Sequence, residues 1–249
     1  MQNWLKEMEK TWMELKNSIN NRGYAISSFK NPRECQFLKS RADMHNLEYD
    51  LWPGDSWERN IVLLSEPGDC NYFSGKALKL IGDLDGVKHN DILGSIMHLG
   101  LDRGEIGDIV KIKEHYLLFT SDRAAKIIKN NLREIGSTII KVDEWGPDLP
   151  TTPEIPGMDI VISVASLRLD NVLREVYGLK RAEAQQFIER NQVKVNYLVE
   201  SRTSYIIEPG DLISLSRAGR ARVKDIEGYS KKGRCRISVF VYEHGKRHS

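Results

Sequence analysis

The sequence contains few cysteines, and their placement excludes a disulfide framework or a metal site. Only three of the 249 residues are cysteine, and Cys35, Cys70 and Cys235 lie far apart with no paired spacing. An odd number of separated cysteines argues against a disulfide-stapled or zinc-stabilised fold. We therefore expect a protein of the reducing cytosol.

Long apolar stretches are also missing. No segment approaches the ~18 apolar residues of a membrane span, and the opening MQNWLKEMEK lacks the apolar region of a signal peptide. A membrane or secreted protein is therefore not the first expectation. With 40% hydrophobic and 29% charged residues, the composition is that of a globular protein.

Motifs of catalysis are absent as well. There is no glycine-rich phosphate loop, no G-x-S-x-G, no H-E-x-x-H and no plausible Cys–His pair. One segment does carry several candidate side chains: His89, Asp91, His98, Asp102, Arg103 and Asp108. On a predicted helix, however, Asp91 and His98 would be ~10.5 Å apart along the axis, too far to share one metal ion. We expect no catalytic residue, metal or cofactor; the alternative is an RNA-modifying or RNA-processing enzyme with a site around His89–Asp108.

Charge is balanced overall but unevenly distributed. The chain has 37 Lys+Arg and 35 Asp+Glu, a net charge of +2. Residues 1–159 carry 20 basic against 25 acidic side chains, whereas residues 160–249 carry 17 against 10. This asymmetry indicates that the C-terminal part meets a polyanion.

Proline is concentrated in one segment. Four of the eight prolines lie within EWGPDLPTTPEIPGMD. Because proline lacks an N–H and favours extended geometry in the preceding residue, this stretch predicts a semi-rigid linker over residues 144–159. The linker follows a mainly helical N-terminal region (1–58) and a central α/β domain (59–143), and it precedes a C-terminal domain (160–249). The predicted fold class is α+β.

Two helices are predicted in the N-terminal region. Residues 2–20 place apolar side chains at helical spacing: Trp4, Leu5, Met8, Trp12, Leu15 and Ile19. We expect this amphipathic helix to pack on its own domain rather than on a partner. A second helix is predicted over Pro32–Met44, since proline suits a first helical turn.

The central region alternates strand and helix patterns. NIVLLS, ALKLIG, IVKI, HYLLF and STIIKV predict strands, with IVKI and HYLLF paired around residues 113–114. One helix is predicted over Asn90–Gly100 with Asn90 as its N-cap, and another from Ser121 or Asp122 to Gly136. From Lys76 onward the order is β-α-β-β-α-β, as in RNA-recognition-motif-like folds.

Individual residues of this domain are expected to pack rather than bind. The aromatic base-stacking signature of RNA-recognition motifs is absent, so Tyr116 and Phe119 are predicted to be core or strand-pairing residues. Gly94 is expected where its helix approaches a strand closely, and Gly107 in a tight turn.

The C-terminal domain is predicted to open with two helices. SLRLDNVLREVYG predicts the first, with Ser166 as its cap and Gly178 as its stop, and the second covers Arg181–Asn191. VKVN then alternates valines with Lys194 and Asn196, as in a strand. In RAGRARVK, Arg220, Arg222 and Lys224 recur at every second position, and KKGRCR repeats this spacing with Lys232, Arg234 and Arg236. Such spacing would align each set on one face of paired strands.

S-L-R-L-D, K-R-A-E-A-Q, V-K-V-N and P-G-D-L-I-S resemble the alpha-L RNA-binding motif, first described in ribosomal small-subunit protein four. The resemblance implies that two helices and a strand present side chains to structured RNA. With the basic segments added, the predicted RNA-binding set is Arg168, Lys180, Arg181, Gln185, Lys194, Asn196, Arg217, Arg220, Arg222, Lys224, Lys231, Lys232, Arg234 and Arg236. Lys180 departs from the motif, which usually has a helix-capping serine there.

A wider resemblance covers most of the chain from about Phe29. WPGDSWERNIVLLS, HNDILGSIMHLGLDRGEIGDIV and SLSRAGRARVKDIEGYSKKGRCRISVF resemble segments of YlmH-like proteins, which are bacterial cytosolic RNA-binding proteins of three-part build. This resemblance implies binding to ribosomal RNA and tRNA on the large ribosomal subunit during ribosome-associated quality control of stalled nascent chains. Some relatives have been connected with cell division. We expect a monomer.

Overall fold

The computed structural model describes residues 2–68, 75–146, 148–150, 157–230 and 233–242. The chain forms two compact units, residues 1–154 and residues 155–249. The division falls within the predicted linker, of which residues 147 and 151–156 lie outside the described part. In the described ranges, no helix is both long and apolar enough to cross a lipid bilayer.

The first unit begins with two helices packed on a small antiparallel sheet. Its elements are α1 (Gln2–Arg22), β1 (Tyr24–Ile26), α2 (Pro32–Met44), β2 (Glu48–Trp52) and β3 (Ile61–Ser65). β1 and β2 pair with the two edges of β3. The predicted helical region 1–58 therefore contains two strands, and β3 completes their sheet rather than belonging to the central domain as predicted.

The apolar side of α1 packs within its own unit, as predicted. Met8, Trp12 and its later apolar positions are buried against α2 and the sheet. Leu5 is the exception, because its side chain is 46% exposed. The first turn instead contacts α2 through Trp4, whose ring centre lies 5.9 Å from that of Phe37.

The α2 helix has the predicted bounds, and its start is fixed by a reciprocal capping box. The Asn31 side chain accepts the Glu34 N–H at 3.1 Å, and the Glu34 carboxylate accepts the Asn31 N–H at 2.8 Å. Pro32 occupies the first turn, where its missing N–H costs no helical hydrogen bond.

The rest of the first unit is a five-stranded antiparallel sheet with two helices. Its elements are β4 (Gly75–Gly82), α3 (His89–Met97), β5 (Ile106–Ile112), β6 (His115–Ser121), α4 (Asp122–Asn131), β7 (Glu134–Ile135) and β8 (Thr138–Glu144). The strand order is β5-β6-β4-β8-β7. The chain thus follows β-α-β-β-α-β order with one added short strand, and IVKI pairs with HYLLF as predicted.

The start of α3 differs from the prediction. The helix begins at His89, so Lys88 rather than Asn90 occupies the N-cap position. Lys88 takes this place because the Asp91 carboxylate accepts its backbone N–H at 2.9 Å. An acidic residue in the first turn of α3 therefore satisfies the backbone N–H of the N-cap residue.

The end of α4 also differs from the prediction. Ser121 is the N-cap, as predicted, and its hydroxyl accepts the Ala124 N–H at 3.1 Å. The helix ends at Asn131 instead of Gly136, because residues 134–135 pair with β8 as strand β7. Gly136, with φ of 61°, provides the turn between these strands.

Both faces of the central sheet are filled by other parts of the first unit. α3 and α4 bury one face through apolar residues such as Ile92 and Ile128. On the other face, the ring centre of Phe119 lies 5.4 Å from Trp52 and 4.6 Å from Trp57. The core role predicted for Phe119 is confirmed, and aromatic side chains of this protein occupy that sheet face.

The two glycines singled out by the sequence behave differently from their predictions. Gly107 lies in β5, not in a tight turn, and a Cβ there would be 2.5 Å from Cε1 of Phe29 and 2.9 Å from Cβ of Phe119. Gly94 would have no atom within 4 Å of an added Cβ, so α3 makes no close approach there. Of these two glycines, only Gly107 lies at a close contact.

The second unit is a six-stranded antiparallel sheet with two helices. Its elements are β9 (Gly157–Val164), α5 (Leu169–Tyr177), α6 (Arg181–Glu189), β10 (Val193–Val195), β11 (Leu198–Val199), β12 (Leu212–Leu215), β13 (Gly219–Tyr229) and β14 (Cys235–Tyr242). The strand order is β11-β10-β12-β13-β14-β9. β9 begins three residues before the predicted domain start at 160, because its first residues pair with the end of β14.

The helices of the second unit cover one face of this sheet. Val172, Leu173 and Ile188 share a core with strand residues such as Ile213 and Val239. Gly178 ends α5 with φ of 64°, as predicted.

Ser166, the predicted cap of α5, is not the cap. Arg168 occupies the N-cap position, and the Ser166 hydroxyl accepts the Asn171 side-chain amide at 2.9 Å. The helix starts at Leu169 because the residue 168 backbone is still extended, with φ of −64° and ψ of 142°.

Replacing Gly107 with alanine is expected to lower the free energy of unfolding by about 1–3 kcal/mol, because the new methyl group would overpack Phe29 and Phe119. Thermal and urea unfolding would measure the change. Gly94→Ala is the matched control: it adds the same methyl group in open space within a helix and should be neutral or stabilising. Equal destabilisation by both variants would contradict this account.

Candidate RNA-binding surfaces

In the second unit, strand register places charged side chains on one face of the sheet and apolar side chains on the other. Along β13, Ala221 and Val223 are buried while Arg222 and Lys224 are exposed. Residues paired across antiparallel strands point to the same face. Lys194 pairs with Ser214, Ser214 pairs with Arg220, and Arg222, two residues further along β13, pairs with Phe240. These side chains therefore share the face opposite the helices, which we call the outer face.

The predicted RNA-binding residues therefore divide between two surfaces. The helix surface holds Arg168, Lys180, Arg181 and Gln185. The strands carry Lys194, Arg220, Arg222, Lys224 and Arg236. Arg234 immediately precedes β14, and Asn196 and Arg217 lie in turns. Lys231 and Lys232 lie outside the described residues. The sequence motif does not separate these surfaces, whereas the sheet does.

On the helix surface, Lys180 and Arg181 stand exposed at the start of α6. The side chain of Lys180 makes no capping hydrogen bond, as expected from the missing serine. The Glu183 carboxylate accepts the Lys180 backbone N–H at 2.7 Å, which is the other half of a capping box. The Lys180 ammonium is therefore not needed to hold the helix end.

Arg168 is held by a buried carboxylate rather than left to face solvent alone. Its guanidinium donates to both oxygens of Asp170, at 3.1 and 2.9 Å, and the Asp170 side chain is only 5% exposed. This ion pair raises the pKa of Arg168. Removing Arg168 would leave a buried charge unpaired, so the residue has a structural role whatever it contacts.

Asn196 is likewise engaged in the fold. Its amide N–H donates to Asp211 at 2.7 Å, and its amide oxygen accepts the Leu212 backbone N–H at 3.0 Å. Its backbone is left-handed, with φ of 47°. These contacts join the turn after β10 to the start of β12 and give Asn196 a structural explanation.

Arg234 connects three elements of the second unit. Its guanidinium donates to the backbone oxygen of Ser163 and, at 3.1 Å, to the Ser163 hydroxyl and the Glu175 carboxylate. β14 is thereby tied to β9 and α5. Arg236, which lies within β14, is more exposed than Arg234, and its guanidinium lies 3.6 Å from the Glu227 carboxylate.

The outer face also carries two aromatic residues that the sequence analysis missed. Phe240 and Tyr242 continue the alternation of Arg236 and Ser238 along β14, with ring centres 5.1 Å apart. The guanidinium carbon of Arg220 lies 5.2 Å from the Tyr242 ring centre. The sequence did contain a signal for them: the period-two pattern of RCRISVFVY extends beyond the arginines to Phe240 and Tyr242 and predicts that they share a face with Arg236.

Comparisons with known proteins identify domains in both units. Residues 83–146 match the family described as "Putative RNA-binding domain in YlmH", and residues 167–213 match the S4 domain family, which has the alpha-L motif. The chain carries a YlmH-type RNA-binding domain and an S4 domain. The predicted family resemblance and its RNA-binding motif are confirmed.

Individual relatives agree with this assignment. The chain is 33% identical over 155 residues to Ribosome-associated protein quality control protein P2 of Bacillus subtilis (strain 168), covering 61% of this chain and 59% of the relative. It is 30% identical over 73 residues to Small ribosomal subunit protein uS4 of Herminiimonas arsenicoxydans, covering 29% of this chain and 35% of that protein. The chain thus spans less than two thirds of the length of either relative.

A solved structure shares the fold over part of the chain. The structure of Cell division protein ylmH from Streptococcus pneumoniae superposes with a TM-score of 0.52 at 18% identity. The match covers 57% of this chain and 90% of the other.

The YlmH-type domain includes the segment considered as an alternative catalytic site. Two of its side chains make local contacts: the Asp91 carboxylate caps α3, and the exposed His98 ring lies with Nδ1 2.7 Å from the Gly94 oxygen. Among the described residues, no group of three or more His, Cys, Asp or Glu side chains is placed to hold a metal ion.

Asp108 of the same segment joins the YlmH-type domain to the N-terminal layer. One carboxylate oxygen accepts the backbone N–H groups of Glu58 and Arg59, at 2.8 and 3.2 Å. Burial is the largest cause that raises the pKa of Asp108 to about 6, and the same burial lowers the pKa of the nearby Arg103 to about 10. The WERN and GEIGDI motifs therefore meet at a buried polar contact.

The raised pKa of Asp108 predicts a pH dependence of stability. Because the folded pKa of about 6 lies above the unfolded value near 3.9, the unfolded state loses this proton first as the pH rises. The free energy of unfolding should then fall by about 2–3 kcal/mol between pH 4 and pH 6, relative to Asp108→Asn, and stay level above that range. Urea titrations of both proteins measure the difference, and a difference independent of pH would contradict the assignment.

Proposed function

We propose that this protein is a non-catalytic RNA-binding protein that uses its S4 domain to bind structured RNA. The observation that carries the proposal is the S4 domain match together with the exposed cations at the start of α6. The +7 net charge of residues 160–249 supports it, since a basic surface attracts the phosphate backbone.

We infer further that the bound RNA is ribosomal RNA and tRNA on the large ribosomal subunit, in ribosome-associated quality control of stalled nascent chains. The Bacillus subtilis relative, which bears that process in its name, supports this inference, as does the second RNA-binding domain. The protein would act as a cytosolic monomer.

The central domain has an RNA-recognition-motif-like topology in this proposal, but it would not bind RNA in the usual way of that fold. Such folds stack bases on their open sheet face. Here Trp52 and Trp57 pack against Phe119 on that face. Any RNA contact of this domain would therefore use its helices or loops.

The double substitution Lys180→Ala/Arg181→Ala is expected to weaken binding of a structured ribosomal RNA hairpin and to leave the melting temperature unchanged. Each lost phosphate contact should make the slope of log affinity against log salt shallower by about 0.7–0.9. Filter binding across a salt series measures both. Lys6→Ala/Lys10→Ala on α1 removes the same charge from exposed positions in the first unit and should change neither quantity. An equal effect of both double variants would reduce the proposal to general electrostatics.

The ribosomal role predicts co-sedimentation with large subunits. In sucrose gradients of cell lysate, the protein should migrate with large subunits, and more of it should do so when they retain peptidyl-tRNA. RNA crosslinking with sequencing should recover ribosomal RNA and tRNA. Crosslinks confined to messenger RNA would refute the ribosomal role and leave RNA binding intact.

A further inference from the structure

The outer face of the C-terminal sheet combines aromatic rings with cations in a way that the hydrophobic core does not require. Phe240 and Tyr242 stand edge to face, with an interplanar angle of 88°, and both are half-exposed. Neither ring belongs to the core cluster that joins the sheet to α5 and α6. Two large rings on the solvent side of a sheet therefore need another explanation.

The backbone beneath Phe240 is shaped to support a ring lying along the sheet. An added Cβ at Gly157 would be 2.5 Å from Cζ of Phe240, so the Phe240 ring lies against the bare backbone of β9. Glycine permits this close approach because it has no side chain. The Gly157 backbone therefore supports the side of the Phe240 ring that faces the sheet.

Cationic side chains surround the two rings. The Arg222 Nε donates to the Tyr242 hydroxyl at 3.2 Å, and Arg220 stacks over the Tyr242 ring. Lys224, further along β13, forms an exposed ion pair with Asp159 at 3.0 Å. Exposed ion pairs of this kind are weak, so a phosphate group can displace the Asp159 carboxylate.

We propose that the outer face binds unpaired RNA nucleotides, with Phe240 and Tyr242 stacking the bases and Arg220, Arg222 and Lys224 contacting the phosphates. Aromatic rings interleaved with cations along a sheet are the combination that recognises single strands. In a duplex the base faces are already stacked on one another, so they are not available to a protein ring. Charge complementarity and exposed rings together therefore favour an unpaired strand.

This inference deepens the proposed function, since it rests on RNA binding by the C-terminal unit, and it adds a second surface with a different RNA preference. The helix surface would bind the structured part of an RNA, and the outer face an adjoining unpaired segment. The two surfaces lie on opposite sides of one hydrophobic core. Their contributions can therefore be removed separately.

The test compares two RNA probes on the full-length protein. One is a short uridine-rich single strand with one fluorescent purine analogue, and the other is a ribosomal RNA hairpin without a single-stranded tail. Phe240→Leu keeps an apolar side chain over Gly157 but removes the ring. It should weaken single-strand binding by about 5- to 100-fold, the loss expected for one stacked base, and abolish quenching of the analogue. Hairpin affinity should not change.

Matched variants separate stacking from damage to the fold. Phe240→Tyr retains a ring and should bind the single strand as the unsubstituted protein does. Lys180→Ala/Arg181→Ala should weaken hairpin binding and spare the single strand. If Phe240→Leu has a lowered melting temperature, Tyr242→Leu takes its place and must meet the same criterion.

Several outcomes would overturn the proposal that Phe240 and Tyr242 stack unpaired bases. Unchanged single-strand affinity in a folded ring-deletion variant would do so, as would equal losses with both probes. If the protein binds the hairpin but not the single strand, base stacking on the outer face is refuted, whereas the proposed binding of structured RNA stands. Binding of neither probe would refute both.

Discussion

Side chains on a β-strand alternate between its two faces, and in the C-terminal unit this geometric rule ties the hydrophobic core to the charged surface. Ala221 and Val223 face the helices, so the residues between them must face the other way. A shift of one residue in the pairing of β13 would bury arginines and expose valines. The core therefore determines where the cations of the outer face lie, and RNA recognition there depends on the same register that stabilises the fold.

Several polar residues that match the RNA-binding motif also stabilise the C-terminal unit. Arg168 pairs with the buried carboxylate of Asp170, and Arg234 joins β14 to β9 and α5. Asn196 holds the turn after β10. A buried charge without a partner is costly, so such positions would be retained even if RNA never touched them. Lys180 and Arg181 are different, because both are exposed at the start of α6 and the Lys180 side chain makes no helix-capping hydrogen bond.

The five-stranded sheet of the first unit and the six-stranded sheet of the C-terminal unit differ in what covers them. In the first unit, Trp52 and Trp57 fill the sheet face that carries Phe119, and Gly107 allows Phe29 to approach. In the C-terminal unit, Phe240 and Tyr242 lie half-exposed on the outer face. Aromatic residues thus belong to the core in the central sheet, whereas in the C-terminal sheet they are available for contact.

The sequence by itself determined the local elements and the domain families. Hydrophobic periodicity predicted α1, α2 and the paired strands β5 and β6, because periods of 3.6 and 2 are properties of single segments. Tertiary structure decided the features that depend on contacts between distant parts of the chain, which local periodicity does not encode. It placed β3 in the N-terminal sheet, since strand pairing joins residues distant in the chain. It converted residues 134–135 from a helix end into a strand, because the pairing with β8 outweighed local propensity. It also separated the twelve described residues of the predicted RNA-binding set into different surfaces and showed which of them make contacts within the fold, because burial and partners arise only when the sheet assembles.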